Sequence, residues 1–220
     1  EVDPSKEYES FPLTEIQHAY LVSRGDSSSQ ATVGTTYCQI FAVDEIDLDR
    51  LDAAWGKVQK RHGMMRASVE EDGTQSIAPS SKIGHIERAE CANSSEAKQQ
   101  LEEIKRTVFA LAKPPLHRVV SISWHEESGK QTRLVFCFDY TVLDALSVMT
   151  VLAELAELYE NPGADLPGIG LTFRDFVVGH RRDGREVEEA EGYWRSRLPE
   201  LPPAPQLPLA ADPSTVGEGR

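Results

Sequence analysis

Two apolar stretches set the limits on this fold. LHRVVSISWHE (116–126) and TRLVFCFD (132–139) carry more apolar side chains than simple in–out alternation allows, and only ESGKQ joins them. A link that short makes an antiparallel pair, and apolar residues on both faces place the pair centrally, covered above and below. The chain then continues as YTVLDALSVMTVLAEL without a glycine or proline, so strand passes almost directly into helix. That helix carries Leu146, Met149, Thr150, Leu152, Ala153, Ala156 and Leu158, apolar on more than one face, which predicts burial on two sides.

The other elements are arranged around this unit. In FPLTEIQHAYLVSR, Thr14 and Gln17 have capping-box spacing, and Ile16, Ala19, Tyr20 and Ser23 share one helical face. TTYCQIFAVDE reads as a strand. Asp47 can cap a helix with Leu48, Leu51, Trp55 and Val58 at spacings of three and four, closed by Gly63 as a C-terminal cap. MRASVEEDGTQSIAP predicts a hairpin about Asp72–Gly73, IGHIERAE a short strand, and Ser94 or Ser95 the start of a helix running to about Ala112. After the loop NPGADLPGIG come two helical stretches, TFRDFVVGHRR and EVEEAEGYWRSRL; in the second, Trp194 and Leu198 form an apolar face that reads as core. Six of the 13 prolines fall in 199–220, which predicts an extended connector over 201–220 after a lobe of residues 1–200. The order of elements predicts an α/β sandwich with a mostly antiparallel or mixed sheet flanked by helices.

Charge and composition exclude several functions. A net charge of −13 argues against binding nucleic acid over a broad face. The basic run HRRDGR (180–185) is short, meets EVEEAE, and reads as a solvated helix junction. No apolar run reaches the ~18 residues that read as a membrane span, and EVDPSKEYES lacks the form of a secretory leader. Cys38, Cys91 and Cys137 are too few and scattered for a disulfide framework or a metal site, so they read as buried thiols in a reducing, cytoplasmic setting. His62, His117, His125 and His180 show no metal-ligand spacing and read as surface or strand-end residues. No cofactor or metal is expected.

Asp139 and Asp144, with Ser147 behind them, occupy the strand-to-helix passage, and three readings stand open. Two carboxylates and a hydroxyl could hold Mg²⁺, although no glycine-rich phosphate loop accompanies them. Asp144 could cap the helix at Ala145 while Asp139 faces solvent. Or Asp144 could be a buried carboxylate paired with an arginine.

Four blocks occur in a fixed order: FPLTEIQHAYLVSR, RHGMMRAS, FDYTVLDALSVMTVLAEL, and LTFRDFV followed by YWRSRL and LPPAPQLPL. Together they resemble the heterocyclization domain of nonribosomal peptide synthetases, a relative of the condensation domain. Asp139, Asp144 and Ser147 match its DxxxxDxxS signature, where amide-forming condensation domains carry HHxxxDG. The resemblance implies the first of two lobes of a chloramphenicol-acetyltransferase-like fold, with a tunnel between the lobes. The partners it implies are a missing C-terminal lobe and upstream and downstream carrier proteins, whose phosphopantetheine arms tether the substrates. It implies no nucleic acid or membrane partner.

The implied reaction joins a carrier-bound acyl or aminoacyl thioester to carrier-bound cysteine, serine or threonine, then cyclodehydrates the product to a thiazoline or oxazoline. By the same resemblance, Asp139 stands where amide-forming relatives have their first histidine and Tyr140 where they have the second. Tyr140 departs from the small or aliphatic residue usual there; it can donate a hydrogen bond or simply pack on the tunnel wall. Asp144 is expected to act as scaffold, paired with Arg66 of RHGMMR, and Ser147 to satisfy Asp144 or the backbone. Asp139 is the candidate for a polar role facing the tunnel or for a structural one. The rival readings are an amide-forming condensation domain without cyclisation, a noncatalytic carrier-docking lobe, and a generic α/β domain with a capping aspartate.

Overall fold

A computed structural model describes residues 6–25, 35–80, 83–179, 184–203 and 208. Strand β7 (Gly129–Asp139) lies at the centre of the larger sheet, between β2 (Thr36–Val43) and β6 (His117–Glu126), antiparallel to both. β5 (Glu87–Glu90) pairs in parallel with β6 on the far side, giving the order β2-β7-β6-β5. A smaller antiparallel sheet has the order β1-β4-β3, from β1 (Phe11–Pro12), β4 (Thr74–Ile77) and β3 (Ala67–Val69). β3 and β4 form the expected hairpin, with Gly73 at φ 81°. The left-handed φ favours glycine there, and a Cβ would also lie 2.7 Å from the exposed His18 ring, which would have to swing aside.

The apolar excess of β7 has a simple cause. Leu134, Phe136 and Phe138 face one core with Leu51, Trp55 and Val58 of α2 (Leu48–Arg61) and Val148, Val151, Leu155 and Leu158 of α4 (Ala145–Glu160). Val135 and Cys137 point the other way, into a second core with Ala97 and Ile104 of α3 (Ser94–Lys105) and Val120, Ile122 and Trp124 of β6. Both faces of the strand are covered, so both sets of alternating positions are apolar. No helix among the described residues is long and apolar enough to cross a membrane.

Local capping follows the sequence. Asp47 accepts from the N–H groups of Asp49 and Arg50, and in α1 (Glu15–Gly25) Thr14 and Gln17 exchange capping-box bonds. Gly63 is not a left-handed cap: it opens a 3-10 turn after His62, and a Cβ there would meet Ile77 at 2.9 Å. α3 is capped by Asn93 and ends at Lys105, short of Ala112. A turn and a cis Pro114–Pro115 bond then lead into β6.

Several expected faces are reversed. On α1 the residues turned inward are Gln17, Leu21 and Arg24, leaving Ile16 68% exposed. On α4 only one side is buried; Leu146 (70% exposed) and Met149 (67%) form an outward apolar strip with Ala153 and Ala156. α5 (Phe173–Gly179) packs on β1 through Phe11 and Phe173. α6 (Gly184–Arg197) has no buried residue, and Trp194 is 59% exposed rather than core. His180 and the rest of 180–183 lie outside the described residues, as does the predicted connector apart from 201–203 and 208.

Two expectations about single side chains are corrected. Cys38 and Cys137 are not separate thiols. They face each other across the β2–β7 ladder, Cα atoms 4.2 Å apart, and form a disulfide, while Cys91 is the free buried thiol. Positions opposite in register share one face of a sheet, a relation invisible at a sequence separation of 99. Of the two places expected for His117, it takes the strand end, as the first residue of β6, and not the surface. It is buried edge-on against Trp55 with ring centroids 5.0 Å apart, and burial pushes its imidazole down to about 4.

Candidate functional site

At the end of β7 the ladder gives way to a turn built around Asp139. Its N–H donates to the Leu116 carbonyl, its own carbonyl accepts from the N–H groups of Val142 and Leu143, and its Oδ1 accepts from Thr141 N–H at 2.9 Å. Its Oδ2 is bound by the Arg24 guanidinium from the last turn of α1. The Asp139 side chain is 0% exposed and that of Arg24 13%, and Arg24 also donates to the Phe109 carbonyl at 3.1 Å. The first aspartate of the signature is therefore an ion-paired carboxylate sealed beneath the turn.

Tyr140 follows, its N–H donating to the Thr35 carbonyl at 2.9 Å. Its ring stacks on Tyr37 of β2, with centroids 5.6 Å apart and planes inclined by 16°. Burial raises its pKa, and the neighbouring Tyr37, Tyr20 and Asp144 raise it further. A phenol in that setting stays protonated near neutral pH, so it is a hydrogen-bond donor and not a base.

Asp144 is the N-cap of α4, exposed, with Oδ1 accepting from Ser147 N–H at 2.8 Å. Hydrogen bonds from the Ser147 hydroxyl and N–H hold its carboxyl below the usual carboxylate value. The expected pair with Arg66 is not formed. Arg66 is buried and donates to the carbonyls of Gln59, Lys60 and Ala78, with Glu7 as its acidic partner at 3.3 Å. Those α2 carbonyls form a helix C-terminus that needs a cation, while Asp144 faces a helix N-terminus that supplies N–H groups, so each charge is satisfied locally. Asp144→Ala is expected to lower stability by about 1 kcal/mol, an ordinary lost cap. Chemical denaturation measures it, and a much larger loss would mean a partner beyond Ser147.

The turn thus brings together Asp139, Tyr140, Asp144 and Ser147, and leaves Arg66 elsewhere. The arginine that does reach the signature, Arg24, was missed. Its sequence signal was its position at the end of the LVSR block, on a helix whose first turn already carried the capping box.

The condensation-domain family profile matches residues 7–218. Bacitracin synthase 1 of Bacillus licheniformis is 30% identical over 98% of this chain, which spans 4% of that protein. Phenyloxazoline synthase MbtB of Mycolicibacterium paratuberculosis is 32% identical over 95% of this chain, which spans 18% of it. Among solved structures, the EpoB NRPS cyclization-docking bidomain of Sorangium cellulosum superposes with a TM-score of 0.86 at 31% identity, covering 97% of this chain and 43% of that one. With the profile covering nearly the whole chain and the signature turn in place, the chain belongs to the condensation-domain family of nonribosomal peptide synthetases.

Proposed function

We propose that this chain is one lobe of a heterocyclization domain. With the facing lobe, it joins a carrier-bound acyl or aminoacyl thioester to carrier-bound cysteine, serine or threonine. The amine attacks the thioester carbonyl and releases the upstream phosphopantetheine thiol. The side-chain thiol or hydroxyl then adds to the new amide carbon, and loss of water leaves a thiazoline or oxazoline. The observation that carries this reading is the turn at Asp139–Ser147, an aspartate signature with tyrosine and no imidazole, in a chain similar to a phenyloxazoline synthase and to a cyclization bidomain. The outward strip of Leu146, Met149, Ala153 and Ala156, one helical face beside that turn, fits a second lobe laid across it.

The geometry of the turn supports a scaffolding part for this lobe. Asp139 is held by Arg24, Asp144 by the start of α4, and Tyr140 keeps its proton, so none of them is poised as a general base. Amide formation then rests on holding two tethered reactants together, an effect worth up to about 7–11 kcal/mol. By the resemblance, groups that assist dehydration would belong to the facing lobe. The test is a complete synthetase supplied with loaded carrier proteins, its products read by intact-protein mass spectrometry. A product lighter than the linear amide by one water is expected. An amide that keeps its water would select the amide-forming reading, and carrier binding without any product would select a docking lobe.

A further inference from the structure

Gln17 and Gln75 are far apart in sequence, yet their side-chain amides meet in the interior, 6% and 0% exposed. The Gln17 amide nitrogen donates to Gln75 Oε1 at 2.9 Å, and the Gln75 amide nitrogen donates back to Gln17 Oε1 at 2.9 Å. Gln75 gives its second hydrogen to the Pro12 carbonyl at 3.1 Å, and Gln17 gives its own to the Thr141 carbonyl at 2.8 Å. Gln17 Oε1 meanwhile closes the capping box with Thr14. Capping needs only that oxygen, and a glutamate would supply it as well. The amide is required by what its two hydrogens reach.

One of them reaches the middle of the signature turn. The Thr141 residue is held at both ends: its N–H by Asp139 Oδ1 at 2.9 Å and its carbonyl by Gln17 Nε2 at 2.8 Å. Thr141 lies directly after Tyr140 and three positions before Asp144. Fixing both backbone polar groups of one residue fixes the path of the chain between those two side chains. A buried amide pair contributes only about 0.5–1.5 kcal/mol net per hydrogen bond, so its main effect is to specify a single arrangement. We infer that Gln17, braced by Gln75, is a positioning residue that holds the Thr141 carbonyl and thereby sets where Tyr140 and Asp144 stand in the signature turn. This deepens the functional reading above and rests on it for its kinetic arm.

The test uses the full synthetase with Gln17→Glu and Gln17→Leu/Gln75→Leu. The glutamate keeps the cap on Thr14 but has no hydrogen for Thr141; the double leucine variant removes both amides, and with them the cap on Thr14 and the bonds to the Pro12 and Thr141 carbonyls. Hydrogen exchange over 138–144 is expected to quicken about tenfold in both, the scale of one lost buried hydrogen bond, with β3, β4 and α2 exchanging as before. Turnover should fall about tenfold with the KM for loaded carriers unchanged, the mark of lost positioning and not of lost binding. In the double variant this loss should persist at temperatures well below its own melting point, where the chain remains folded. The inference is overturned if exchange in the turn is unchanged, if turnover falls only in step with global unfolding, or if the double variant restores turnover. Should the wild-type synthetase give no heterocycle, the functional reading fails by that result alone. Faster exchange confined to the turn would still uphold the clamp, and unchanged exchange would still remove it.

Discussion

Asp139→Ala is expected to lower the stability of the chain by about 3–5 kcal/mol, the cost of stranding one member of a buried ion pair. The side chain is fully enclosed and its partner Arg24 largely so, leaving the guanidinium little water to replace the carboxylate. For a domain of this size that corresponds to a fall in Tm of roughly 10 °C. A loss of product formation in this variant would then report unfolding and not a missing catalytic carboxylate. The companion variant separates the two. Asp139→Asn with Arg24→Met removes both charges while keeping an acceptor for Thr141 N–H, and neutral replacement of a buried pair is commonly tolerated. It should recover most of the lost stability in urea denaturation. A single variant costing less than about 1 kcal/mol would show that the pair behaves like an exposed one, and the structural reading of Asp139 would have to go.

Acid should weaken this fold through His117. Burial without a compensating charge pushes its imidazole down from 6.5 to about 4, although its N–H bond to the Met65 carbonyl works slightly in the other direction. Below pH ~6.5 the unfolded chain takes up a proton here that the folded chain refuses, so stability falls as pH falls. The slope is about 1.4 kcal/mol per pH unit and the loss approaches about 3 kcal/mol near pH 4, where the folded ring is itself protonated and the decline from this group ends. Above pH ~6.5 both states carry the neutral ring and the contribution is complete. His117→Gln keeps a donor for Met65 but cannot be protonated. Its denaturation midpoint should be distinctly less sensitive between pH 6.5 and 4 than that of the parent chain. Identical profiles for the two proteins would refute the assignment.

These residues show where sequence reading succeeds and where it stops. Asp47, the Thr14–Gln17 capping box, the turn at Gly73 and the cap at Asp144 all depend on atoms within four residues of one another, so spacing reveals them. The order of elements and the central place of β7 were legible because apolar periodicity reports how many faces of a strand are covered. The inward face of α1 was not. Its apolar face, with Ile16, points outward, and the residues turned inward include Gln17 and Arg24, whose partners no helical pattern announces. The cover on α4 was likewise overestimated, because a side chain's hydropathy says that it favours burial and not what will bury it.

What the chain determined by itself is the signature, its place at a strand-to-helix turn, and the family to which both belong. What folding alone decided is who holds the signature in place. Arg24 lies 115 residues from Asp139, and Gln17 lies 124 from Thr141. Arg66 and Asp144, which the sequence suggested as a pair, are each satisfied by backbone near their own helix ends. The physical reason is that a buried charge or amide binds whichever complementary group packing brings within about 3 Å. That choice is made among all the residues a fold encloses, and spacing along the chain carries no record of it.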